Sequence, residues 1–151
     1  MCCHAVIAVT TALIETGVIE PKEPYTFRYG TASGIVTAKA KVSEESVEEI
    51  SVIDVPSFYL GNYELRIHNK IIPVHVAYGG NFFVIVESKD LGVELRIRNV
   101  DKLIRWGLMI RDEASRQISV DHPTQKNMDK KIKLVMMVGE PELTTSDGKT
   151  K

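Results

Sequence analysis

A chain of 151 residues with 44% hydrophobic and 26% charged side chains has the composition of a soluble globular protein, with room for one compact domain or two small lobes. Its formal net charge of -1 excludes the basic excess of a nucleic-acid binder. No apolar run is long enough to cross a bilayer, and no basic lead or cleavage site marks a secretory leader before the first apolar stretch. The only cysteines are the neighbours Cys2 and Cys3. Adjacent residues make a poor structural disulfide, so both thiols are expected reduced, in a cytoplasmic protein.

From His4 to Thr16 the residues Ala5, Val6, Ile7, Ala8, Val9, Ala12, Leu13 and Ile14 predict a first helix, stopped by Gly17. It is apolar on nearly every side, and a helix of that kind is expected to be wrapped by protein. The acidic run Glu44–Glu49 reads as a solvated face. Strands follow from period-two alternation. Val36, Ala38, Ala40 and Val42 form one set; Tyr63, Leu65 and Ile67 form another; Ile72, Val74 and Val76 form a third, which Pro73 pushes toward an edge or bulge. Phe82–Val86 is a short continuous apolar run, and Val93, Leu95 and Ile97 alternate with charged residues. Turn signals stand at Ser33-Gly34, Gly61-Asn62, Gly79-Gly80 and Leu91-Gly92.

A second helix is expected from Val100 to Arg116, capped by Asn99 or Asp101, with Val100, Leu103, Ile104 and Leu108 on its packed face. A last strand runs from Lys133 to Val138, before a polar tail, PELTTSDGKTK, expected to be disordered. No repeat at a solenoid period is present. The class is α+β: strand-rich, with one helix wrapped and another lying on a sheet.

Chemistry concentrates in the opening MCCH. Unpaired N–H groups and the positive end of the dipole at a helix N-terminus favour thiolate over thiol, and the same N–H groups cradle a carboxylate or phosphate. The plain alternative is a cysteine used as a small buried apolar residue. Metal binding is not expected, because Cys2, Cys3 and His4 are contiguous while His68, His75 and His122 are scattered singly. No phosphate-binding glycine loop, GxSxG or HExxH is present. The strings VPSF (Val55–Phe58), YGGNFFVIV (Tyr78–Val86) and DHPT (Asp121–Thr124) each have plain readings as strand ends or turns.

Taken together and in this order, MCCH, the helix ending in ETG, VPSF, GGNFF, Leu91-Gly92 and His122-Pro123 resemble the proline racemase family. That family includes 4-hydroxyproline 2-epimerase and trans-3-hydroxyproline dehydratase. The resemblance covers the chain at least to Val138. It implies a diaminopimelate-epimerase-like fold, with strands wrapped around a central helix in each of two lobes and the active site in the cleft between them. In this chain it implies the remainder of a first lobe at 1–45, part of a second at 46–140, and a flexible tail at 141–151. The implied chemistry is cofactor-independent: a cysteine thiolate removes the Cα proton of proline or hydroxyproline, and a second thiol returns one to the opposite face. Cys2 matches the first catalytic cysteine. Cys3 and His4 match the positions whose backbone N–H groups hold the substrate carboxylate, and His122 matches a substrate-contacting histidine of the second lobe. Phe82 and Phe83 wall the cleft or pack the core.

Two departures from the family pattern shape the expectation. Cys3 replaces the glycine of the family's MCGH, and a side chain there crowds a closely held carboxylate. The sequence also holds no counterpart of the second cysteine motif or of the strands that precede MCGH in the family. The chain therefore reads as a truncated central portion, without racemase activity of its own. A dehydratase of the same family would carry threonine in place of the second cysteine. The reading from another class is a non-catalytic fragment acting as an oligomeric binding module. Bare strand edges and uncovered apolar faces predict a homo-oligomer, with a small-molecule substrate and no nucleic-acid or membrane partner.

Overall fold

In a computed structural model, residues 2–20, 23–43, 46–124 and 129–140 are described. The chain divides into two compact units, 1–57 with Gly79–Asn81, and 58–78 with 82–151. The boundary expected after residue 45 falls instead within a β-hairpin of the first unit.

The first unit holds helix α1 (Cys3–Glu15) and strands β1 (Thr26–Thr31), β2 (Gly34–Ser43) and β3 (Ser46–Ile53), in an antiparallel sheet of order β1-β2-β3. Val36 and Ala38 of β2 are buried, with Val6 of α1, against Phe27, Tyr29, Ile50, Val52 and Val55. Gly17, at φ +67°, ends α1 with its N–H donating to the Ile14 carbonyl (3.0 Å). Of the acidic run, Ser46–Glu49 open β3, while Glu44 and Glu45 lie outside the described residues. Glu48 and Glu49 are exposed there, and Glu48 pairs with Lys41 (2.6 Å).

Helix α1 is not wrapped within the described residues. It buries one stripe, Val6, Thr10 and Ile14, while Ile7 and Val9 stay 39% and 46% exposed. The sequence shows apolarity all round; the structure covers only the residues spaced by four that face β2 and β3.

The second unit holds β4 (Phe58–Ile67), β5 (Lys70–Tyr78), β6 (Phe82–Glu87), the short helix α2 (Ser88–Leu91), helix α3 (Val100–Gln117) and β7 (Leu134–Val138). Its sheet has the order β4-β5-β6-β7, antiparallel except for the parallel pair β6–β7. A parallel pair needs a crossover, and α3 lies in it. Leu65, Ile72, Val74, Val76, Val84 and Val86 bury one face of the sheet, with Ile110 and Ala114 of α3 and the flanking Ile118, Val120 and Ile132.

Several expectations need correction here. Val93–Ile97 is not a strand: Gly92 (φ +65°) closes α2, the Arg96 N–H donates to the Glu94 carbonyl (2.9 Å), and Ile97–Asn99 forms a 3-10 turn. Alternation there has no face to bury, and Ile97 is 93% exposed. On α3, Ile110 and Ala114 are buried and Leu103 and Trp106 half-buried. The expected stripe is otherwise uncovered, with Ile104 55% and Leu108 48% exposed. Asn99 is the N-cap residue by position but makes no side-chain capping bond. Gly61-Asn62 is no turn. It marks a bulge in β4, where Gly61 takes φ +150°. Pro73 lies opposite Glu64 in β5, beyond the stretch His75–Tyr78 that pairs with β6, so it occupies a local edge. The tail expected to be disordered lies outside the described residues.

The packed and uncovered faces of α3 set a stability contrast. Ile110→Ala is expected to cost about 2–5 kcal/mol, the range for a buried isoleucine truncated in a close-packed core. Ile104→Ala should stay within about 0.5 kcal/mol. Urea unfolding of the two variants checks this, and equal midpoints would contradict the assigned helix face.

Candidate active site

Cys2 is the N-cap residue of α1, extended at φ -135° and ψ 106°, and its side chain makes no capping bond. The Val6 N–H donates to the Cys2 carbonyl (3.3 Å), closing the first turn. The N–H groups ahead of Val6 have no partner within a helix, and no acidic residue stands in the first turn. Cys2, Cys3 and His4 are all exposed. The mouth of α1 thus presents donors and a positive dipole end beside two thiols, an arrangement suited to a carboxylate.

The two thiols are not equivalent. Cys3 Sγ donates to Asp54 Oδ2 (3.3 Å), and Asp54 Oδ1 accepts the Val55 N–H (2.6 Å). That hydrogen bond, with desolvation and the carboxylate's charge as smaller causes, holds the Cys3 thiol above the usual cysteine range. Asp54 was not legible as a site residue. It lies far from Cys3 in sequence, and only the return of the chain after β3 brings it to the mouth.

His122 belongs to the second unit, where it completes an aromatic cluster. Phe58 stacks on Tyr78 with ring centroids 4.9 Å apart, and Tyr78 meets Phe82 at 5.1 Å. The His122 ring stands edge-on to Phe58 (5.3 Å) and Tyr78 (4.7 Å). Its Nδ1 accepts the Thr124 N–H (3.3 Å), which leaves the neutral ring's proton on Nε2. VPSF supplies Phe58, YGGNFF supplies Tyr78 and Phe82, and DHPT supplies His122, so three strings that look like unrelated turns meet in one cluster. Phe83 points to the other face of β6 and does not share it. Tyr78 is a residue that sequence reasoning missed. Its hydroxyl is buried and has no hydrogen-bond partner among the described residues.

Cys2, Cys3 and His4 come together at one helix end in the first unit, while His122 is held in the second. The GGN turn groups with the first unit, where Ser33 Oγ donates to the Gly80 carbonyl (2.6 Å). A surface hollow of about 830 Å³, lined by Pro24, Tyr25, Lys39 and Lys41 among others, contains none of the predicted site residues. Among the described residues no three of His, Cys, Asp and Glu gather as a metal site would require. No helix among them is long and apolar enough to cross a membrane.

Comparison with known proteins gives a consistent result. The family model described as proline racemase matches residues 1–151. The proline racemase of Acetoanaerobium sticklandii is 37% identical over 145 residues, covering 93% of this chain and 43% of its own. A trans-3-hydroxy-L-proline dehydratase of Bacillus thuringiensis subsp. konkukian is 33% identical over 144 residues, covering 94% of this chain and 43% of its own. Among solved structures, a hydroxyproline epimerase from Agrobacterium vitis, with bound trans-4-OH-L-proline, superposes with a TM-score of 0.75 at 29% identity. The match covers 96% of this chain and 42% of that one. The chain therefore spans less than half the length of the relatives it matches. The likeness bears out the expected fold class.

The orphaned hydroxyl of Tyr78 makes a prediction. An unsatisfied buried polar group costs about 1–3 kcal/mol, so Tyr78→Phe should stabilise the chain by about 1 kcal/mol or more. Thermal unfolding measures it. A destabilised variant would mean that the hydroxyl has a partner.

Proposed function

The chain belongs to the proline racemase family, and from that premise we propose that it carries the first half of a cofactor-independent site acting at Cα of proline or hydroxyproline. Cys2 is the base. Its thiolate takes the Cα proton: the Cα–H bond breaks, an S–H bond forms, and the electron pair stays on Cα, spread into the carboxylate. The backbone N–H groups of Cys3 and His4 hold that carboxylate as its charge grows, the kind of fixed-donor stabilisation that lowers such barriers. His122 is proposed as a further substrate-contacting residue, on its match to the family's histidine. The observation that carries this reading is the uncapped first turn of α1, with Cys2 at its head and no acidic residue within it.

Inversion needs an acid on the opposite face, within hydrogen-bond reach of Cα. The cysteines of this sequence both stand at one helix end, so a second thiol would have to come from outside it. A dehydratase of the same family is the second reading, favoured by the 33% identity to a trans-3-hydroxy-L-proline dehydratase. The exposed thiols suit a reducing cytoplasm.

A third reading, an oligomeric binding module, rests on the uncovered face of α1 and on the outer edges of β1 and β3. Edges and apolar faces of this kind recruit other chains, and a homo-oligomer follows under each of the three readings. Light scattering of the purified chain is expected to give a mass above that of one chain. A well-folded monomer with a sharp thermal transition would end this idea.

Activity is tested by incubating the chain with L-proline or trans-4-hydroxy-L-proline in deuterium oxide. One thiol acting alone returns deuterium to the face it left, so the expected result is Cα exchange without inversion, lost in Cys2→Ala. Mass spectrometry and chiral chromatography read the two outcomes separately. Inversion at ordinary enzyme rates would overturn the requirement for a second thiol, and exchange that survives in Cys2→Ala would overturn the base.

A further inference from the structure

The mouth of α1 poses a chemical problem, because two adjacent thiols compete for the same positive helix end. A thiolate at Cys3 would itself be an anion beside the free N–H groups, and would occupy the place proposed for the substrate carboxylate. The geometry answers the problem. Cys3 Sγ is engaged as a donor to Asp54 Oδ2 (3.3 Å), and Asp54 is anchored in turn by the Val55 N–H at its other oxygen (2.6 Å).

We propose that Asp54 is a positioning residue for this site: by accepting the Cys3 hydrogen bond it ties that side chain to the segment after β3 and reserves the helix mouth for Cys2 and an incoming carboxylate. What the pairing serves rests on the reading of Cys2 as the base; the pairing itself stands on its own geometry. A carboxylate beside a thiol opposes ionisation both by charge and by stabilising the S–H donor. The titratable groups that act on the Cys3 thiol are Asp54 and Cys2, and both raise it. The Asp54 carboxylate thus offsets the thiolate-favouring pull of the helix end at one cysteine of the pair. A cysteine is thereby accommodated at a position where the family motif has glycine.

The test is alkylation with iodoacetamide across pH, with each thiol mapped by mass. In the unaltered chain Cys2 should label at lower pH than Cys3. Asp54→Asn keeps the size of the side chain and an oxygen for the Val55 N–H but removes the charge. At about pH 8, close to the ordinary thiol range, this variant should label Cys3 several-fold faster while the Cys2 rate stays within about twofold. An unmoved Cys3 profile would overturn the proposal. So would a Cys3 in the unaltered chain that labels at or below the pH of an ordinary thiol, a result that needs no variant. Added L-proline separates this from the reading of Cys2. Failure of proline to shield Cys2 counts against the substrate site alone, whereas an unshifted Cys3 in Asp54→Asn counts against Asp54 alone.

Discussion

Thr10 is the polar member of the stripe that seats α1, and its hydroxyl holds the helix in one rotation. Thr10 Oγ1 donates to the Val6 carbonyl one turn back (2.7 Å), so its single proton is used within the helix. The 2.8 Å contact with Tyr29 Oη is then a bond that Tyr29 donates. A buried hydroxyl left unpaired costs about 1–3 kcal/mol, so turning α1 on the sheet would break a polar bond as well as expose Val6 and Ile14. At the far end of the helix, Glu15 Oε1 accepts the Val47 N–H of β3 (3.2 Å). Fixed at its middle and at its end, α1 has little freedom left to re-aim its N-terminus, and the proximity of Cys3 to Asp54 follows from that placement.

The second unit solves a similar problem with aromatic rings instead of a hydrogen bond. β5 ends in Tyr78 and β6 begins in Phe82, and the antiparallel register sets the two directly opposite. Phe58 opens β4 and pairs with Tyr78 on the other side. Three neighbouring strands therefore each contribute a ring at one end of the sheet, where His122 closes on them. Edge-on contact with aromatic faces helps to fix the imidazole ring. The price of the arrangement is the buried Tyr78 hydroxyl.

Much of this is legible in the sequence. β2, β4 and β5 show a plain period of two, and α1 stops at Gly17 as its sequence requires. β3 was hidden because its alternation slips. The register shift at Lys41/Val42 passes over Glu48, so Val47 and Ile50 are separated by two exposed acids and read as a charge run. The phase of α3 is ambiguous in the sequence because apolar residues crowd 103–110; the charged residues of the first turn pick out a face including Ile104 and Leu108, while packing selects Ile110 and Ala114. At the site, MCCH and His122 stood out through their resemblance to a family pattern. Asp54 carries no local sign of its role, because nothing in DVPSF points to a thiol at the other end of the unit.

The exposure of the α1 mouth bears directly on its chemistry. Two unit charges 4 Å apart interact by about 1 kcal/mol in water and about 4 kcal/mol at an effective dielectric constant near 20. Donors aimed at a developing carbanion gain their advantage only where water is kept out. Cys2, Cys3 and His4 are all exposed in this unit, so the groups have the right types and the right end of the helix but work against a solvent that screens them. Under the proposed function, a substrate seated there would displace some of that water and cover part of the mouth. The same exposure explains why the Asp54–Cys3 bond matters. In a screened site a charge alone discriminates poorly between neighbouring thiols, whereas a hydrogen bond of fixed geometry acts on one and spares the other.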